Sequence, residues 1–150
     1  MALEEKVMEE LKTAMRAKDE AGLRTLRSIK AAIIIEKTAE GASGVISEAT
    51  EIKMLQKLAK QRRDSLEIFE KQNREDLASK EREELAIIER FLPKQMSADE
   101  LKGELKTIIE QVGAKSPADM GKVMGVASKQ LAGKIDGKAI SEMVKQLLAQ

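Results

Sequence analysis

The sequence predicts an all-α protein, and three observations lead to that prediction. Good helix formers such as Ala, Leu, Glu, Lys and Met are plentiful, whereas only Phe69 and Phe91 are aromatic. Apolar residues recur at three- and four-residue steps along most of the chain. Glycine, proline and helix-capping residues interrupt this pattern at intervals. We therefore expect a four-helix N-terminal domain with long helices, followed by a small three-helix C-terminal tail domain.

The N-terminal domain is expected to span residues 1–93. A loop at Glu40–Gly44 separates its first two helices from the rest, and Ser47 and Asn73 are in position to cap the third and fourth. Proline disfavours helical geometry in the residue before it, so Pro93 ends the fourth helix. The four predicted helices cover residues 3–17, 20–39, 48–71 and 74–91. In the second, the apolar run Ala31–Ile35 predicts a deeply buried middle.

A domain boundary is predicted at Pro93, because all eight arginines precede it and the helices that follow are shorter. The tail domain is expected to span residues 97–150. Ser97 and Glu100 form a capping box at the start of its first helix, and Gly113 ends that helix. A glycine-bearing helix follows, and Asp136 can cap the last helix.

The composition excludes several kinds of site. With 27 basic and 26 acidic residues the net charge is +1, so attraction of nucleic acid must come from a local patch. The chain has no cysteine and no histidine, which removes the commonest nucleophile–base pairs and metal ligands. We expect no metal, no cofactor and no independent catalysis. The acidic start is unlike a signal peptide and no run is long enough to span a membrane, so we expect a cytoplasmic location and no membrane partner.

The stretch from Ser116 to Ala132 is the most informative part of the chain. Ser116 can cap a helix and Pro117 fits its first position. Two glycines in the helix interior would each cost about 1 kcal/mol relative to alanine. At 100° per residue, small side chains share one face and apolar ones lie opposite. The small residues are Ala118, Gly121, Gly125, Ser128 and Ala132.

This small-residue face allows two interpretations. Small residues at four-residue spacing let a second helix pack closely, and they equally let an anionic backbone approach. Lys122 and Lys129 flank the face and favour the second interpretation. Between Lys115 and Lys138 there are five lysines and only two acids, which makes this segment the basic part of a neutral chain.

Arginines in the N-terminal domain also allow two interpretations. Arg24, Arg27 and Lys30 form a basic row that could contact phosphates or could pair with acids of a neighbouring helix. Arg62 interrupts an apolar seam. It is either a buried arginine held by Glu83 or Glu84, or a residue at the edge of the seam whose head reaches water.

Several segments make the chain resemble the GatB/YqeY family over nearly its whole length. The most specific is Asp119–Gly125, with the sequence DMGKVMG, and Gly133–Lys138, with the sequence GKIDGK, supports it. Other matching segments are Leu26–Ile33, Lys60–Ser65, Glu84–Ile88 and Phe91–Pro93. Asn73 departs from the family, which tends to have glycine there.

The resemblance implies a helical domain followed by a helical tail that holds the body of a tRNA. Similar modules form the C-terminal tail of the B subunit of the tRNA-dependent amidotransferase or are appended to some glutaminyl-tRNA synthetases. The family label, a carbon–nitrogen ligase with glutamine as amido donor, fits the full subunit, whose kinase-bearing part has no counterpart here.

The sequence therefore favours a stand-alone tRNA-binding module. The alternatives are an accessory subunit in amide transfer, with an amidotransferase or aminoacyl-tRNA synthetase as partner, and a protein-interaction module. The candidate tRNA-binding residues are Gly121, Lys122, Gly125, Ser128, Lys129, Lys134 and Lys138.

Overall fold

A computed structural model describes residues 2–39, 41 and 43–149. These residues form seven α-helices and one short 3₁₀ helix, which confirms the all-α prediction. Two residues of the predicted loop, Glu40 and Ala42, lie outside the described residues, as do the two chain ends, Met1 and Gln150. The chain divides into two compact units, Met1–Leu92 and Pro93–Gln150, and each has its own hydrophobic core.

The first unit contains four helices, as the sequence predicted. They are α1 (Leu3–Ala17), α2 (Glu20–Thr38), α3 (Glu48–Lys71) and α4 (Glu75–Phe91). Val7, Ile29, Ile33 and Ala59 are fully buried, so α1, α2 and α3 all contribute to one core, which α4 joins through Ile88. The predicted cap at Ser47 is present, because its hydroxyl accepts the Thr50 N–H at 3.2 Å.

Two details of the prediction for this unit are wrong. Asn73 does not cap α4; it adopts a left-handed conformation, with φ of +56°, and Arg74 occupies the position before the helix. The chain must reverse between α3 and α4, and asparagine tolerates the left-handed geometry that such a turn needs. The apolar run of α2 is also only partly buried, since Ile33 is inaccessible whereas Ile35 is 66% exposed.

Ion pairs within the first unit occupy most of its arginines. Arg24 binds Glu84 through Nε at 2.5 Å and lies 3.9 Å from Glu83, whereas Arg27 is exposed. Arg62 is half-buried, and its Nη1 lies 2.9 Å from Glu84. Arg62 therefore combines both interpretations of its position, because an acid holds it and part of its side chain still reaches solvent.

The second unit contains three α-helices and the 3₁₀ helix. They are α5 (Ala98–Val112), the 3₁₀ helix (Pro117–Asp119), α6 (Met120–Gln130) and α7 (Gly137–Leu148). Leu105, Val123, Ala127 and Val144 are fully buried and join the three α-helices in one core.

The predicted helix ends of this unit are present. The Ser97 hydroxyl accepts the Glu100 N–H at 3.2 Å, as the predicted cap requires, and it donates to the Glu100 carboxylate at 3.1 Å. Gly113 ends α5 in the left-handed conformation, and Asp136 caps α7. None of the helices in the described part of the chain is long and apolar enough to cross a membrane.

Candidate nucleic-acid interface

The entry into α6 differs from the prediction. Ser116 makes no side-chain capping bond, and Pro117–Asp119 forms a 3₁₀ helix before α6 begins at Met120. Asp119 organises the turn, because its carboxylate accepts the Lys115 N–H at 2.9 Å. This bond lowers the pKa of Asp119, and the nearby charges of Lys122 and Lys115 lower it further. The expected cap at Ser116 is therefore wrong, since the Asp119 N–H that its hydroxyl would accept donates to the Ser116 carbonyl at 2.9 Å.

The glycine positions of α6 are open. A Cβ atom added to Gly121 or Gly125 would have no neighbour within 4 Å among the described residues of the second unit, apart from the backbone of α6 itself. Ser128, one turn further along, is exposed. On the opposite side Val123 and Ala127 are completely buried, so the core holds that face of the helix. We call Gly121, Gly125 and Ser128 the glycine ridge.

The ridge is shorter than the sequence suggested. Helix α6 ends at Gln130, so Ala132 lies in the turn that follows and is not on the same helical face. Ala118 lies in the 3₁₀ helix that precedes α6. The open backbone is thus confined to about two turns of α6.

Lysines border the glycine ridge and continue beyond it. Lys122 and Lys129 are seven residues apart, which places them on one side of α6, about 80° from the centre of the ridge. Lys134 and Lys138 lie in the turn after α6 and in the first turn of α7. All four are exposed, and none of them forms an ion pair within the described residues.

The turn that carries Lys134 is fixed by contacts that the sequence analysis missed. Gly133 is buried and has φ of +79°, a conformation that favours glycine. The amide of Gln95 donates to the Gly133 carbonyl at 2.8 Å, and the Met96 N–H donates to the Lys134 carbonyl at 2.9 Å. The backbone of Lys134 is therefore held while its side chain points outward into solvent. In the sequence, the only signal for this turn is the pair of glycines in the GKIDGK segment, Gly133 and Gly137.

The described residues contain no group of three or more Asp, Glu, His or Cys side chains that could hold a metal ion. The seven predicted site residues all lie in the second unit, on α6, on the turn that follows it and at the start of α7. Together they offer bare helix backbone beside four unpaired ammonium groups. Helix backbone and positive charge are thus accessible at the same surface without a deep pocket.

The chain was compared with known protein families and with individual proteins. The model of the Yqey-like protein family matches residues 4–148. A Pyrenophora tritici-repentis protein named altered inheritance of mitochondria protein 41, mitochondrial, is 27% identical over 93% of this chain and 77% of its own length. The Kluyveromyces lactis protein of the same name is 31% identical over 91% of this chain and 71% of its own.

A shorter match is closer in sequence. The Vanderwaltozyma polyspora protein of that name is 39% identical over 55% of this chain, and the match spans 44% of that protein's length. The chain thus matches less than half of this relative and about three quarters of the other two. Because the family model covers almost every residue, from α1 to α7, the chain belongs to the YqeY-like family.

Proposed function

We propose that the second unit binds tRNA through the glycine ridge and the four lysines beside it. The observation that carries this proposal is the coincidence of open helix backbone at Gly121 and Gly125 with unpaired ammonium groups. A helix surface without side chains lets a sugar–phosphate backbone come within hydrogen-bonding distance. Lysines on its border supply the charge that most nucleic-acid affinity requires.

The distribution of charge between the two units supports this choice of surface. Six arginines of the first unit form ion pairs, so much of its positive charge is already neutralised: Arg24, Arg62, Arg63, Arg74, Arg82 and Arg90. The described part of the second unit contains no ion pair at all. A phosphate that binds its lysines therefore has no internal carboxylate to displace.

The proposed recognition depends on shape and charge. Both aromatic residues of the chain, Phe69 and Phe91, belong to the first unit, so the second unit has no ring on which a base could stack. Double-helical RNA is recognised mainly through its backbone and the shape of its grooves. We therefore expect the protein to bind many tRNAs with similar affinity.

Charge reversal of the two lysines of α6 beside the glycine ridge tests the proposal. In a mobility-shift titration with unfractionated tRNA, the double variant Lys122→Glu, Lys129→Glu should bind at least tenfold more weakly at low salt. Neutralising the same two lysines with glutamine should flatten the dependence of log affinity on log salt by about 1.4 to 1.8. Lys102→Glu, Lys106→Glu on α5 is the matched control, because both side chains are exposed on another helix. Equal loss in both pairs would contradict a specific surface.

A second pair of variants tests the open backbone. Gly125→Leu should weaken tRNA binding because its side chain fills the space that the RNA would occupy. Gly103→Leu in α5 is the control, since a Cβ there also has no neighbour within 4 Å. Wild-type affinity in the Gly125 variant would show that tRNA does not approach the ridge.

The same open ridge also favours the alternative that it packs against a helix of a partner protein. In that case Gly125→Leu disrupts a protein complex while Lys122→Glu does little, whereas RNA binding is damaged by both. An accessory role in amide transfer, with an amidotransferase or an aminoacyl-tRNA synthetase, is compatible with tRNA binding and would be detected by co-purification. The cytoplasmic location stays a prediction, and the names of the three relatives contain the word mitochondrial.

A further inference from the structure

Two surfaces of the first unit, one on α1 and one on α2, are exposed and differ in charge. On α1 a shallow groove of about 390 Å³ is lined by Glu4, Glu5, Met8, Glu9 and Lys12. Met8 is half-buried and forms the apolar part of this groove. Glu4 pairs with Lys37 of α2. Glu5, Glu9 and Lys12 are exposed and form no ion pair within the described residues, so the unpaired side chains of the groove carry an excess of one negative charge.

The exposed face of α2 is apolar and basic. Ile29 is completely buried, whereas Arg27, Ala31 and Ile34 are exposed on the opposite side of the helix, within about 60° of one another. Arg27 and the half-buried Lys30 form no ion pair in the part of the chain that the structure describes. This face therefore suits a partner surface that is apolar and acidic, which is the character of the α1 groove.

The two surfaces lie side by side and at matching heights. Only two residues connect α1 to α2, so the helices form an antiparallel hairpin, and the Glu4–Lys37 pair at 2.9 Å joins its open end. Both helices bury their inner faces in one core, so their exposed faces lie on the same outer side of the hairpin. Counting from that pair and from the turn at Lys18, Glu9 lies about level with residues 28–32 of α2, within one turn of Arg27.

We propose that the outer side of the α1–α2 hairpin binds a second copy of this chain. A two-fold axis parallel to the helices places α1 of each copy antiparallel on α2 of the other and leaves the heights of all residues unchanged. Glu9 of one copy then lies near Arg27 of the other, and Met8 lies near Ile34. In such a symmetric dimer each of these contacts occurs twice.

Charge complementarity is the reason for choosing a second copy as the occupant. The acidic groove and its basic, apolar counterpart belong to the same chain and lie at the same level of one hairpin. Opposite charges that meet across an interface fix its register and disfavour other arrangements. Packing α2 on α2 of the second copy would instead bring Arg27 and Lys30 toward their own counterparts. The inference is independent of the proposed tRNA binding, because it concerns residues of the first unit only.

Sedimentation equilibrium of the full chain, free of nucleic acid, tests the proposal over protein concentrations from about 10 μM to about 1 mM. We expect a reversible equilibrium between monomer and dimer, with a dissociation constant that rises as salt is added, because salt screens the charges at the interface. A monomer at every concentration would overturn the proposal and leave this face to a helix of another protein. Assembly beyond the dimer would also overturn it, since a two-fold contact is closed.

A charge exchange tests which helices meet. Glu9→Lys and Arg27→Glu should each weaken self-association at least tenfold, because both copies of the contact then join like charges. An equimolar mixture of the two variants should dimerise within threefold of the wild type, since one contact of the mixed dimer is charge-exchanged and the other is unchanged. Circular dichroism checks that both variants are folded. A mixture that stays as weakly associated as the separate variants would overturn the arrangement of α1 on α2.

A matched pair of isoleucines tests the apolar part of the surface. Ile34→Ser should weaken self-association at least fivefold, because it removes an exposed apolar side chain from the proposed interface. Ile68→Ser is the control, since Ile68 is exposed to a similar extent, 52% against 48%, but lies on α3 outside the hairpin. Equal effects of the two substitutions in the same sedimentation experiment would contradict the proposed contact surface.

Discussion

At the scale of single residues, the sequence located the important side chains but not their partners. Arg62 is recognisable as the one charged residue in an apolar seam of α3. Which acid pairs with Arg62 depends on the rotation of α4 about its axis. In the structure Arg62 pairs with Glu84 and Glu81, whereas Glu83 lies near Arg24. Glu83 and Glu84 are adjacent in sequence, so a helix turns them about 100° apart. Only the packing of α4 decides which one lies inside.

The carboxyl group of Glu81 leads to a prediction about pH. Its side chain is 13% exposed, and burial raises its pKa although Arg62 from α3 and Arg24 from α2 favour ionisation. The neighbouring charge of Glu84 also raises it. The folded state thus binds this proton more tightly than the unfolded state, and the contribution of Glu81 to the free energy of unfolding falls as pH rises above about 4.5.

Replacement of Glu81 by glutamine removes that dependence. In urea titrations monitored by hydrogen exchange on α4 peptides, the loss of stability between pH 4.5 and pH 7 should be smaller in Glu81→Gln than in the wild type. Glu83→Gln is the control, because it removes a carboxylate of the same helix that is 53% exposed. A steeper loss in Glu81→Gln than in the wild type would contradict the raised pKa.

At the scale of elements, the helix boundaries were the most predictable feature, because capping is a local interaction. The limits of α1 and α3 and the caps at Ser47, Ser97 and Asp136 follow from neighbouring residues alone. The entry into α6 was not predictable in the same way. Ser116 and Ser97 both precede a helical pattern, but after Ser116 the Asp119 N–H donates to the Ser116 carbonyl and the chain forms a 3₁₀ helix.

The two serines provide a matched pair for measuring this difference. Ser97→Ala should cost about 1 kcal/mol of stability, because the cap bond to the Glu100 N–H and the bond to the Glu100 carboxylate are both lost. Ser116→Ala should change stability by less than about 0.5 kcal/mol, since no cap bond is present. Urea unfolding monitored by hydrogen exchange on peptides of α5 and α6 measures both. Similar losses in the two variants would mean that Ser116 caps after all.

Burial along α2 was the least predictable property of an element. Three consecutive isoleucines, 33 to 35, suggested a deeply buried helix. Consecutive residues of a helix are 100° apart, so a core on one side can bury only one of three consecutive side chains. Ile33 is fully buried, whereas Ile34 and Ile35 are 48% and 66% exposed. Composition alone therefore overstated how much of this helix is enclosed.

At the scale of the whole molecule, the chain is built as two units with separate cores. We propose that they are independent domains, consistent with the break at Pro93, after the last helix of the first unit. The core of the second unit draws on all three of its α-helices, at Leu105, Val123, Ala127 and Val144. A core shared by three helices is sufficient for some domains of this size to fold alone.

The fragment 93–150 tests both the domain proposal and the tRNA proposal. We expect a helical circular dichroism spectrum, cooperative thermal unfolding and an affinity for tRNA within threefold of that of the full chain. The complementary fragment 1–92 should bind tRNA at least tenfold more weakly, since most of its arginines are engaged in ion pairs. A random-coil spectrum for 93–150 would show that the second unit is not an independent domain.

The sequence by itself determined the helical class, the number of helices, most caps and the family, because these depend on local patterns and on residue identity. It also identified the two glycines and the lysines of α6. Only the tertiary structure decided that these glycines are open and that the arginines of the first unit are paired. The reason is physical: exposure and pairing depend on which helix lies against which face, and such contacts join residues far apart in the chain.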